Sequence, residues 1–153
     1  MANNIRIPAP EFDFRHRMPV QLRINDLDFM GHVNNNVYLS LFDTAKARYF
    51  EDLLNGPVTQ ENMCLVIVNV NIDFYATTFL DEHLEVLTAI AGVGDRSVKI
   101  EQRLLNTDSG EVKSICRTVM AGFDPRNNCG APLDNLWVEL AEKYEGRKLR
   151  QPK

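Results

Sequence analysis

The chain has 153 residues, 44% apolar and 25% charged, which is ordinary for a soluble globular protein and long enough for one domain (1–153) with a real hydrophobic core. A formal charge of −4 and a pI near 5.4 give no footprint for nucleic acid or for an anionic membrane surface. The three cysteines, Cys64, Cys116 and Cys129, are odd in number and far apart, which argues against structural disulfides and zinc and for reduced thiols in the cytoplasm.

The start, Met1 to Arg6, lacks the apolar core of a signal peptide, and no apolar run approaches the roughly 20 residues needed to span a bilayer. Residues 1–13 hold two prolines and several polar residues and are expected to form a loosely ordered arm. From Phe14 to Asn25 the residues Met18, Val20, Leu22 and Ile24 recur with a period of two, the pattern of a half-buried strand, and Pro19 inside it suggests an edge position or a bulge near its start. Residues 36–54 read as a helix. Tyr38, Leu41, Phe42, Ala45, Tyr49, Phe50 and Leu53 recur at three- and four-residue steps, and Gly56-Pro57 follows as a stop. So apolar a helix is expected to be enclosed, with Leu41, Phe42, Ala45, Tyr49 and Leu53 buried.

Four strands are expected after it, over 63–76, 83–93, 97–105 and 111–123. Val70, Ile72 and Phe74 fall on one side of the first, and Asn69, Asn71 and Asp73 on the other. The polar turns at 94–96 and 106–110 separate the later strands, and Asp124-Pro125 stops the last one. Residues 133–144 suit a short amphipathic helix, and the basic tail, 146–153, is expected to fray. One helix covers a long sheet only if the sheet bends around it. There is no βαβ alternation and no GxGxxG or Walker motif.

The most informative stretch is Asp26-Leu27-Asp28-Phe29-Met30-Gly31-His32-Val33-Asn34-Asn35-Asn36-Val37-Tyr38. A polar, glycine-containing turn feeding a helix start presents free backbone N–H groups and the positive end of the helix dipole. Acids and a histidine beside such donors suit attack on a carbonyl.

The pattern Asp26-x-Asp28-x-x-Gly31-His32-Val33-Asn34-Asn35-x-x-Tyr38, followed by Phe42-Asp43-x-Ala45-Lys46, resembles the hotdog-fold thioesterases of the hydroxybenzoyl-CoA and acyl-CoA thioesterase group. Val70-x-Ile72-x-Phe74 leading to Asp81-Glu82 adds weaker support, and the resemblance covers about residues 14–135. It implies an α+β hotdog fold, a curved antiparallel sheet wrapped around one long central helix. It implies hydrolysis of an acyl-CoA thioester, with Asp28 as nucleophile or base and a backbone N–H at Asn35 or its neighbours as oxyanion donor. His32 is the expected companion of Asp28, and Gly31, Asn34 and Tyr38 are the expected substrate contacts. No metal or redox cofactor is implied. A homodimer or homotetramer is, with residues 26–36 at the subunit boundary and the acyl group in an apolar slot between subunits. Related plant acyl-ACP enzymes carry an asparagine two residues after the aspartate, where this chain has Met30.

Each residue also has a plainer reading. Asp28 can be a turn aspartate, and Asn34 and Asn35 can cap the helix. Asp26 is expected to hold the loop or pair with a base, and Asp43 to play a structural part. His16 and His83 have no metal-ligand spacing to His32. Arg96, Lys99, Lys113, Arg117 and Arg126 fit a solvated sheet face, or one or two of them the phosphates of coenzyme A. The alternatives in function are an acyl-ACP thioesterase and a non-catalytic acyl-binding module. A hotdog dehydratase is disfavoured because no His-x-x-Gly-Phe-Pro segment occurs.

Overall fold

The computed structural model describes residues 6–151. In chain order it contains β1 (His16–Val20), a 3-10 turn (Ile24–Asp26), α1 (Asn35–Leu54), β2 (Leu65–Phe74), β3 (Leu84–Val93), β4 (Ser97–Asn106), β5 (Val112–Asp124), β6 (Cys129–Gly130) and α2 (Asn135–Glu145). The strands form one antiparallel sheet in the order β1-β3-β4-β5-β2, with β6 paired to the end of β5. Register shifts at Ile67/Asn69, Ile90/Gly92 and Leu104/Leu105 are bulges that bend long strands, and the curved sheet holds α1 on its inner face.

The helix α1 starts where Asn34 caps it, its side chain accepting from Asn36 N. It ends at Asn55, a left-handed residue whose amide bonds back to Asp52 and Glu51 carbonyls, with Pro57 just beyond. Phe42 and Ala45 pack with Leu84, Val86, Leu104 and Cys116. One turn further, Tyr49, Phe50 and Leu53 join a second cluster with Ile90, Val98, Ile100 and Val138 of α2. Each fully buried large side chain contributes roughly 1.5–3 kcal/mol. Leu41 is only half-buried, at the flank of the first cluster, because the sheet covers one stripe of the helix and not the whole of it.

The two edges of the sheet differ. On the β3 side, β1 covers Leu84 to Thr88, and the tail covers Val93, whose N–H and C=O bond to Leu149 and Gln151. Between them, the Ile90 N–H donates to Glu145 Oε1 at 3.0 Å, and Arg147 donates to the Ile90 carbonyl. The Tyr49 hydroxyl donates to the same Glu145 oxygen. On the other side, among the described residues β2 pairs only with β5, and the outer edge of its ten residues carries no further strand.

Several expectations shift. The first strand is five residues long, because the chain turns into the 3-10 segment at Ile24 instead of continuing to Asn25. The short β6 was not foreseen; two residues carry no periodicity. The tail does not fray through residue 151, since Leu149 is buried and its backbone serves as an added edge segment. Within the arm, one residue is held. Phe12 sits under the Arg147 guanidinium and against Phe14, which in turn lies under Arg103. The remainder of both expectations, 1–5 and 152–153, lies outside the described residues.

Candidate active site

Residues 27–33 form a small hairpin between the 3-10 turn and α1. Leu27 and Val33 form an antiparallel bridge, and Asp28 N donates to the His32 carbonyl at 2.8 Å. The turn is closed by Gly31 N donating to the Asp28 carbonyl at 3.1 Å. Gly31 has φ +79°, and a Cβ there would meet open space, so this glycine answers a backbone need and not a steric one. The tip carries Phe29, 98% exposed, and Met30, 62% exposed.

This geometry treats the two oxygens of Asp28 differently. Oδ1 accepts from Met30 N at 2.9 Å and from His32 N at 3.1 Å. Oδ2 has no partner among the described residues. The carboxylate is thus held by one oxygen and presents the other. Met30 contributes its backbone N–H to this hold. The His32 imidazole is not bonded to the Asp28 carboxylate. It lies edge-on to Phe79 with ring centroids 5.2 Å apart, and the two residues are linked through their main chains.

Three elements fix the hairpin. Asp26 is buried and accepts from Arg23 N at 2.8 Å and from the Arg23 guanidinium at 3.1 Å. The backbone donor, then the side chain and charge of Arg23, hold its carboxyl below the usual range against the opposing effect of burial. The Asp26 carbonyl accepts from Asn34 N, and the Thr78 carbonyl from Val33 N. Tyr38 donates its hydroxyl to Thr78 Oγ1 at 2.8 Å; burial raises the pKa of that phenol. The 77–82 turn is itself held by Lys113, a buried lysine that donates to the Thr77 carbonyl, Glu82 and Glu111. Burial opposes its charge, but the bonds to Glu111 and Glu82 win and raise its pKa.

At the start of α1, Asn34 spends its side-chain oxygen on the cap, its backbone N–H on Asp26, and its carbonyl on Val37 N. The first helical amide, Asn35 N–H, makes no hydrogen bond within the described residues. It is a free donor at the positive end of the dipole. So the structure brings Asp28, Gly31, His32, Asn34 and Asn35 onto one hairpin and helix start, with Tyr38 buried beneath them and its hydroxyl in use.

Sequence reasoning missed Thr78 and Phe79, which come from a turn some 40 residues away and carry no local motif. It also placed Lys113 on a solvated face, whereas it is buried among carboxylates. Arg117 is engaged by Asp73 and Glu101. Asp43 pairs with Lys46 at 3.1 Å. His83 meets Asp108, and among the described residues no three His, Cys, Asp or Glu side chains gather in a way that could hold a metal ion. A concavity of about 1040 Å³ between α2 and the start of β2, lined by Leu54, Leu65, Phe123 and Trp137, lies at the far end of β2 from this hairpin. Ten strand residues, roughly 30 Å, separate the two.

Comparison with known proteins identifies the family and the fold. A long-chain acyl-CoA thioesterase of Escherichia coli K12, FadM, is 25% identical over 130 residues, 82% of this chain and 94% of its own. The acyl-CoA thioester hydrolase YbgC of E. coli is 24% identical over 107 residues, 65% of this chain and 80% of its own. A thioesterase of Thermus thermophilus, solved with coenzyme A and zinc, is 29% identical with a TM-score of 0.77, over 87% of this chain and 96% of that one. The fold is the hotdog fold of these thioesterases. Residues 22–141 match the family model of the thioesterase-like superfamily, which is most of the chain and includes every residue of the hairpin, and the protein belongs to that superfamily.

Proposed function

We infer that the protein is an acyl-CoA thioesterase, cleaving the thioester to a carboxylic acid and free coenzyme A. The observation that carries the chemistry is Asp28, anchored through Oδ1 by two amides with Oδ2 free, on the same short hairpin that leads to the unengaged Asn35 N–H. The free oxygen takes a proton from the attacking water, or itself attacks the carbonyl to give an acyl-aspartyl anhydride that water then hydrolyses to the acid, freeing Asp28. Asn35 N–H receives the developing oxyanion. Collapse breaks the C–S bond, and the thiolate leaves without needing a strong general acid. His32 orients the carboxylate through its backbone N–H, and its ring, against Phe79, shields one side of the site. Gly31 and Asn34 shape the mouth, and Tyr38 supports it from beneath. Names of the two E. coli relatives and the coenzyme A in the T. thermophilus structure support the choice of substrate class.

The working form is a homodimer or a dimer of dimers. The support is β2, a bare edge whose Val66, Ile67, Val68, Val70 and Phe74 are all exposed. An unpaired apolar edge of this length calls for a second strand. The exposed Phe29 and Met30 support a hairpin near the subunit boundary, with the acyl group in an apolar slot between subunits. Exposed free thiols at Cys64 and Cys129 fit a reducing, cytoplasmic setting. No helix is long and apolar enough to cross a membrane among the described residues.

The test is steady-state hydrolysis of a panel of aliphatic and aryl CoA thioesters. Release of free thiol that depends on Asp28 supports the reading. Binding without turnover across the panel rejects it in favour of an acyl-binding module.

A further inference from the structure

Lys113, on β5, is a buried lysine whose ammonium is fully engaged. Nζ donates to the Thr77 carbonyl at 3.0 Å, to Glu82 Oε1 at 3.0 Å and to Glu111 Oε1 at 2.6 Å, and the residue is only 3% exposed. An ammonium has three N–H donors, so none is left over. The other end of the same residue, its backbone carbonyl, accepts from Tyr75 N at 2.8 Å and from Ala76 N at 3.3 Å. One residue therefore grips the chain at 75, 76, 77 and 82, where it leaves β2 and turns. Glu82 is tied further by Asn106 Nδ2 at 3.3 Å, and Glu82 N closes the turn on the Phe79 carbonyl at 3.3 Å.

Stability alone is a poor reason for such a cluster. Desolvation offsets much of the attraction in a buried ion pair, and apolar side chains of similar volume often do as well. What the cluster supplies is one position for the turn, and the turn carries the contacts that reach the hairpin. They divide into two branches. In the first, the Thr78 carbonyl accepts from Val33 N at 2.8 Å, and Phe79 forms a main-chain bridge with His32, whose N–H holds Asp28 Oδ1 at 3.1 Å. In the second, the buried Thr78 hydroxyl accepts from the Tyr38 hydroxyl at 2.8 Å, and Tyr38 lies in the first turn of α1, which begins at Asn35.

We propose that Lys113 is a positioning residue for the hydrolysis: by fixing the 77–82 turn it sets, through Thr78 and Phe79, where the Asp28 carboxylate stands relative to the Asn35 N–H. The inference rests on the roles given to those two groups above. The donors of Lys113 are spent on the turn and on Glu111, so it acts on the chemistry only through the turn. Its signature is a loss in kcat with KM little changed, because a misplacement of ~1 Å at the reacting groups costs on the order of 10²-fold in rate.

The experiment measures kcat, KM and Tm for thiol release from a CoA thioester that the wild type turns over. Lys113→Met is expected to lower kcat by at least about tenfold in folded protein. Glu82→Ala cuts the turn from Lys113 while Glu111 still pairs the ammonium, and is expected to lower kcat by about tenfold. It decides the matter if Lys113→Met does not fold. Arg103→Met is the control for lost stability, since Arg103 is another buried cation, paired with Glu101 at 3.2 Å and not bonded to the turn. It is expected to lower Tm and keep kcat. Tyr38→Phe acts on the same turn, so adding it to Lys113→Met, or to Glu82→Ala, is expected to cost less than the product of the separate losses. A kcat within about twofold of wild type in the folded turn variants, an equal fall in Arg103→Met, or losses that multiply fully overturns the inference and leaves the thioesterase reading intact. Absence of any acyl-CoA hydrolysis by the wild type overturns that reading, and this inference with it.

Discussion

Replacing Asp28 with asparagine separates catalysis from structure because the two carboxylate oxygens have different duties. The amide oxygen of the new side chain would keep an acceptor for Met30 N and His32 N, now at 2.9 and 3.1 Å from Asp28 Oδ1. Hydrogen bonds to a charged acceptor are roughly twice as strong as neutral ones, so the hairpin loses about 1 kcal/mol. For a chain of this size that is a fall of about 2–4 °C in Tm. The loss at Oδ2 is of another order. Removing a positioned base or nucleophile costs about 10² to 10⁴ in kcat, which corresponds to roughly 3–5 kcal/mol of barrier. The assay is thiol release from a CoA thioester that the wild type turns over, with Tm measured on the same preparations. Near-normal kcat with an unchanged Tm refutes the assignment, and the site must then be rebuilt around His32. His32→Ala is expected to cost less than Asp28→Asn, since its backbone N–H, the group that touches Asp28, survives the change.

Asp26→Asn is expected to do the reverse, lowering Tm by several degrees through the loss of a buried charge-assisted bond to Arg23, with kcat reduced far less than by Asp28→Asn. Gly31→Ala forces a side chain into the left-handed region at a cost of about 1–2 kcal/mol, and is expected to reduce turnover with little change in overall fold as judged by circular dichroism. If the proposed dimer forms through β2, lysines at Ile67 and Val68 together are expected to give a monomer in light scattering; a dimer that persists sinks the β2 pairing. Burial holds the His16 pKa below 6.5 despite the nearby Asp52 and Glu145. The unfolded chain therefore binds the extra proton first, so stability is full above 6.5 and declines as pH falls below it, and His16→Gln is expected to flatten that decline in Tm.

The helix and the sheet were legible because their periodicities are strong and tertiary packing agrees with them. Tyr38, Phe42, Ala45, Tyr49 and Leu53 all face the core as their spacing dictates. The 26–38 motif was legible because few structures need that mixture of acids, glycine and asparagines. What escaped were features made by distant partners. The tail at 149–151 reads as frayed by composition, yet β3 has a vacant stretch of edge that its backbone satisfies. Lys113 reads as a surface lysine on an alternating strand, but Glu82 and Glu111 converge on it from two turns. Neither partner is visible in a local window.

Those distant partners also govern how the site works. In the role proposed for it, as nucleophile or base, Asp28 is useful only if the hairpin keeps one conformation, and the tip beside it leaves Phe29 and Met30 in the open. The rigidity comes from below. Lys113 fixes the 77–82 turn, Thr78 of that turn receives both Val33 N and the Tyr38 hydroxyl, and Asp26 ties the other side of the hairpin to Asn34. These bonds lie on the backbone immediately before the helix start and on its first turn, so the same supports that place Asp28 also place the Asn35 N–H. The proposed acid and the proposed oxyanion donor are therefore set in register by one frame. A defect in that frame, unlike one in Asp28 itself, should blur both functions at once.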